Sequence, residues 1–166
     1  MNEAINLPQC VREISKHIGE DLSTWTSVLF GEAAFIQIYE HPDALVEQAA
    51  GIYSDPNETY VHKEITGYAM QRLPVDKYVW LVSHVMLLVE QERIPPRLLE
   101  RLAFPELNWR PNLSLYWDKP EVKALLLRLA DCKPLGDDRR ADIKNRILTG
   151  KAREQYLDLK EAGQLK

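Results

Sequence analysis

Apolar residues recur along this chain at helical spacing. Val75, Tyr78, Val79, Val82, Val85, Met86 and Val89 fall on one stripe, which Leu81 and Leu88 widen, and this predicts a central amphipathic helix. Val122, Leu125, Leu126, Leu129 and Cys132 repeat the pattern, as do Leu98, Leu99 and Leu102, and Leu45, Val46, Ala49 and Tyr53. Proline marks where these stripes begin, at Pro42, Pro56, Pro74, Pro95 with Pro96, and Pro120, because the first turn of a helix tolerates a residue without an N–H. Asp55 and Asp118 each stand three residues before a glutamate, Glu58 and Glu121, which is the spacing of a capping box. The spacing therefore predicts helices near 8–19, 26–40, 42–53, 56–72, 74–92, 95–103, 119–132 and 138–161. Alternation of the kind a strand needs is confined to Asn112–Trp117, between a proline and a predicted cap, and an ordered turn is expected there.

About eight helices joined by short connections imply an all-α fold in which successive helices pack as antiparallel hairpins and stack into a compact bundle. A chain of 166 residues is long enough to bury a core without disulfides or metals, so a single domain over 1–166 is expected. The composition, 45% hydrophobic and 28% charged, is that of a folding sequence. The first twenty residues lack the basic start and apolar run of a secretory signal. The longest aliphatic stretch, Val85 to Val89, is far short of the roughly 20 residues that span a bilayer. A cytoplasmic protein that does not enter membranes is expected, and two cysteines, Cys10 and Cys132, suit a reducing compartment.

Candidate chemistry is sparse. His17, His41, His62 and His84 never pair at the i, i+4 spacing that would put two imidazoles on one helix face, so neither a metal nor any other cofactor is expected. Ser83 and His84 are adjacent, and adjacent helical side chains diverge by about 100°, which keeps a nucleophile from its base. Neighbouring carboxylates, Glu90 with Glu92 and Asp137 with Asp138, lie near helix ends where water keeps them ionised. Isolated glycines form no loop to cradle phosphate. No enzyme is expected; a rival would assemble a site from scattered polar residues such as His62, Lys63 and Glu64.

Net charge is −4, unevenly spread. Residues 1–60 hold ten acids against two bases, Arg12 and Lys16, whereas residues 61–166 hold nineteen bases against fifteen acids. The basic residues Lys133, Arg139, Arg140, Lys144, Arg146, Lys151 and Arg153 are interrupted by Asp137, Asp138 and Asp142, and no aromatic joins them before Tyr156. That composition argues against a nucleic-acid partner. In the acidic first third, Glu32, Glu40, Asp43, Glu47, Asp55 and Glu58 alternate with Phe35, Tyr39, Tyr53 and Tyr60. Charges steer association and aromatics anchor it, so this stretch is the candidate interface for a protein partner with a basic surface.

From Ala69 to Cys132, the segments AMQRLP, a long aliphatic helix, IPPRLLERLAFPELNW and LSLYWDKPEVKALLLRL follow one another in an order that resembles small HEAT-like immunity proteins. Bacteria make such helical-hairpin stacks to neutralise toxins delivered by contact-dependent or type VI secretion systems. The resemblance covers about 64 residues of proline, tryptophan and leucine placement and carries over no binding residue. It implies a chain that blocks a cognate toxin in the cytoplasm, such as a nuclease whose basic cleft an acidic face would occlude. The alternative is an adaptor or chaperone for a secreted effector.

Overall fold

The computed structural model describes residues 6–16, 40–104 and 112–163, and these are all-α, with no strand among them. The expected helix over 26–40 lies outside the described residues except for Glu40. The chain divides into two compact units, residues 1–88 and 89–166.

In the first unit, α1 (Leu7–Ser15) starts on Asn6, whose side chain accepts from the Gln9 N–H. It buries Leu7, Val11 and Ile14 at i, i+4 and i+7. The Leu7 N–H, one of the donors a helix start leaves open, is taken by Gln48 Oε1 at 2.8 Å. Gln48 belongs to α2 (Pro42–Ser54), which turns Leu45, Val46, Ala49, Ile52 and Tyr53 inward. The next helix, α3 (Tyr60–Ala69), begins four residues later than the proline at 56 predicts. Thr59 caps it, accepting from the His62 N–H, while Asp55 accepts from Asn57 N and closes a turn. A threonine adjacent to the helix displaces the more distant aspartate as its cap. A 3₁₀ turn, Met70–Arg72, follows α3 and leads to α4 (Val75–Glu90). Tyr78, Leu81, Val82, Val85 and Met86 of α4 are buried, as the stripe predicts.

In the second unit, α5 (Pro96–Ala103) buries Leu98, Leu99 and Leu102. The Asn112–Trp117 stretch is the short helix α6 (Asn112–Leu115) followed by a turn. Next comes α7 (Pro120–Ala130), whose Val122, Leu125, Leu126 and Leu129 are buried. Asp118 is not its cap; Lys119 holds that position, and Asp118 accepts from Arg153 at 3.4 Å. The single last helix expected over 138–161 is broken. Its first part, α8 (Asp137–Asp142), opens into a π turn, Ile143–Ile147, where Leu148 N donates to Ile143 O at 2.9 Å. The chain then reverses at Gly150, whose φ of 80° is left-handed, and resumes as α9 (Lys151–Glu161). The Trp117 indole lies within 3.1–3.3 Å of where a Gly150 Cβ would be, so the position needs glycine both for its backbone and for its space.

Candidate interaction face

The sequence-chosen residues separate into three groups. Glu40, Asp43 and Glu47 are exposed, the last two on the outer side of α2. Tyr53, chosen as an anchor, is 1% exposed and cannot meet a partner. It follows Leu45, Val46 and Ala49 on the inward stripe, and its hydroxyl lies 3.0 Å from where a Cβ on Gly67 would sit. Burial, with Tyr78 and Glu64 nearby, pushes its phenol pKa far up, so the ring stays neutral. Asp55 is half-buried in its turn, and Tyr60 is half-buried with its hydroxyl enclosed. Glu32 and Tyr39, with Phe35, lie outside the described residues.

Glu58 forms the third group. Its side chain is only 9% exposed and is shared by Arg12 at 2.8 Å and His62 Nδ1 at 2.7 Å. Burial alone would raise the Glu58 carboxyl, but the hydrogen bonds from His62 and Arg12 and their charge hold it below the ordinary glutamate range. On its other side, His62 Nε2 is 3.1 Å from Ser15 Oγ, which puts serine, histidine and glutamate in the order of a hydrolytic triad. The Ser15 hydroxyl, however, donates to the Arg12 carbonyl at 2.7 Å, away from the imidazole. It also stands at the C-terminal end of α1, where exposed carbonyls disfavour the negative charge that acyl transfer develops. The cluster clips α1 to the start of α3. Lys63 is buried and Glu64 half-buried on successive positions of α3, so the sequence-level rival site of His62, Lys63 and Glu64 diverges around the helix.

The exposed surface that the sequence reading missed is on α4. Trp80 is 48% exposed and Leu87 49% exposed, seven residues apart on one side of the helix, with His84 between them. The Trp80 and His84 rings stack, centroids 5.6 Å apart and nearly parallel. His84 Nε2 meets Ser54 Oγ at 2.8 Å at the end of α2. Ser83, beside it, donates to the Val79 carbonyl and takes no part. Near the starts of the two helices, Lys77 pairs with Asp43, and the Lys77 ammonium is held above its ordinary range chiefly by that hydrogen bond. Comparison with protein-family models, curated proteins and solved structures returns no match. The face must therefore be read from its own residues. A visible signal did exist: Trp80 and Leu87 stand off the buried stripe of α4, a second apolar row where a solvated side should be polar.

The second unit presents a different surface. Arg139 reaches Glu100 at 3.0 Å and Asp142 at 3.5 Å and lies 4.6 Å over the Phe104 ring. Arg140 pairs with Asp137, Arg146 with Asp142 at 2.8 Å, and Arg153 with Asp118. An open groove of about 470 Å³ follows the end of α4, lined by Val89, Ile94 and three prolines, Pro95, Pro96 and Pro134, together with the neighbouring Glu92 and Arg93. Its walls are largely apolar, and its two charged side chains, Glu92 and Arg93, are sequence neighbours. Among the described residues no group of three histidine, cysteine or acidic side chains could hold a metal ion, and no helix is long and apolar enough to cross a membrane.

Proposed function

We propose that this chain is an immunity protein that binds a toxin acting in the cytoplasm, such as a nuclease, and neutralises it by covering its active cleft. The observation that carries this reading is the row of carboxylates that α2 presents to solvent, Asp43 and Glu47, with Glu40 beside it. A cleft that grips phosphate is basic, and an acidic face competes for it and accelerates encounter. The exposed Trp80 is the residue type that most often anchors a protein interface. The toxin class comes from the resemblance to HEAT-like immunity proteins. An adaptor that holds a secreted effector would use the same apolar row but leave its client active.

The deciding experiment expresses the neighbouring gene in a bacterial host with and without this chain. Killing by the neighbour alone, with growth restored by this chain through a direct complex, supports immunity. A harmless neighbour, or a complex in which the client keeps its activity, rejects it. Reversing Glu40, Asp43 and Glu47 to lysine should slow association most at low salt while the helical circular dichroism stays unchanged.

A further inference from the structure

Two side-chain contacts set the register between α2 and α4. Asp43 meets Lys77 near their starts, and Ser54 meets His84 further along, so the two contacts follow one another in the same direction along both helices. Helical geometry puts Asp43, Glu47 and Ser54 within about 40° of one another on α2, with Gly51 beside them. Across the seam, α4 presents Lys77, Trp80, His84 and Leu87. Gly51 is exposed, and no described residue lies within 4 Å of where its Cβ would be. Glycine is the weakest helix former after proline, and no backbone or packing requirement at this position calls for it. It leaves a notch in the exposed side chains of α2, between Glu47 and Ser54 in sequence.

We propose that the α2–α4 seam is a docking groove for an amphipathic helix of the protein partner, which lays an apolar row over Gly51 and Trp80 and sets lysines or arginines against Asp43, Glu47 and Asp76. The proposal rests on the reading of this chain as a protein-binding one, and it names the chemistry of what is bound. Three features argue for that occupant. Trp80 and Leu87 are spaced by two helical turns, the interval at which a facing helix repeats its anchors. The seam from Asp43 to Ser54 is about 16 Å long, three turns of a helix. The charged side chains that the two helices themselves contribute along this stretch are net negative, Asp43, Glu47 and Asp76 against Lys77, which pairs with Asp43. A second copy of this chain would bring the same acidic row against itself, which a two-fold interface disfavours.

The test uses the full chain and a fluorescent helical peptide of about 18 residues with leucines on one face and lysines flanking them, read by anisotropy. A peptide of the same leucines flanked by glutamates and a scrambled lysine peptide are the controls. The lysine peptide should bind, more weakly as salt rises from about 0.05 M to about 0.5 M, and the controls should not. Trp80→Ala and Gly51→Gln should each weaken binding at least about tenfold, the second by filling the notch without changing charge. Gly51→Ala, a small and helix-favouring change, should retain it. Equal binding by the glutamate peptide, unchanged affinity in both Trp80→Ala and Gly51→Gln, or a dimer in sedimentation that Gly51→Gln dissolves would each overturn the proposal. The growth assay reports separately on immunity: peptide binding blocked by Gly51→Gln beside a harmless neighbouring gene would reject the toxin reading and keep the groove. Rescue of growth that survives Gly51→Gln would do the reverse.

Discussion

The carboxylates of Glu40, just before α2, and Glu47, on it, stand exposed with no ion pair among the described residues, and no described residue lies within 4 Å of where a Gly51 Cβ would be. In the second unit four arginines each reach a carboxylate, and Gly150 lies against the Trp117 indole. Both regions are highly charged and both carry a glycine at a helix or its end, yet only one holds its features for internal structure. Charge density in a sequence therefore does not identify a binding surface. The useful quantity is the charge left over after neighbouring elements have been satisfied, and by that measure the acidic seam of the first unit is available while most of the basic cluster is not.

The largest effect that separates the regions is at the two glycines. Gly150→Ala places a Cβ against the Trp117 ring and forces a side-chain-bearing residue into φ of 80°, so a loss of roughly 2–3 kcal/mol is expected. Gly51→Ala meets nothing and improves helix propensity, for a gain of about 0.5–1 kcal/mol. Urea denaturation of both variants checks the opposite signs. Equal changes would mean that Gly51 is as structural as Gly150, and the seam would lose its distinguishing feature.

A smaller contrast lies in the charges. Arg139→Ala removes the hydrogen bond to Glu100 and the cover over the Phe104 ring, and roughly 1–2 kcal/mol should go with them. Glu47→Ala removes an exposed carboxylate and should stay within about 0.5 kcal/mol of the parent. Thermal unfolding monitored by circular dichroism gives both. A Glu47 effect as large as that of Arg139 would assign the α2 row to the fold.

These contrasts also show how far residue patterns reach. The stripe from Val75 to Val89 predicts both the existence and the inner face of α4, because a 3.6-residue period records burial directly. Helix starts are less legible: Thr59 replaces Asp55 as a cap and Lys119 replaces Asp118, since both aspartates find nearer or stronger partners in the folded chain. The break at Gly150 was hidden because its cause, the Trp117 ring, comes from a segment 33 positions earlier in the chain. At the candidate site, Asp43 and Glu47 are readable as solvated acids. Tyr53 is not readable as a surface anchor; its place on the Leu45, Val46 and Ala49 stripe already turns it inward. Trp80 and Leu87 were legible in principle, as apolar residues displaced from the buried stripe of their own helix.

The smallest effect tests Glu58, a carboxylate of the first third that the fold engages with two partners. The folded state holds the Glu58 carboxyl below its ordinary range through His62 and Arg12, so its contribution is fully present above the unfolded pKa of about 4.3 and is lost as pH falls through the lower folded value. Glu58→Gln should cost about 1 kcal/mol at pH 7, because Arg12 is largely in water and gives little, while the part-buried His62 contact gives more. That difference should shrink as the pH falls below the ordinary glutamate range and through the lower folded value, where the parent protonates as well. Urea midpoints of the parent and Glu58→Gln between neutral pH and about pH 3 measure the gap. A gap for Glu58→Gln that persists unchanged in acid would mean that its packing, and not its charge, joins α1 to α3. The clip would then be a matter of shape, and the contrast between claimed and unclaimed carboxylates in this unit would have to rest on burial alone.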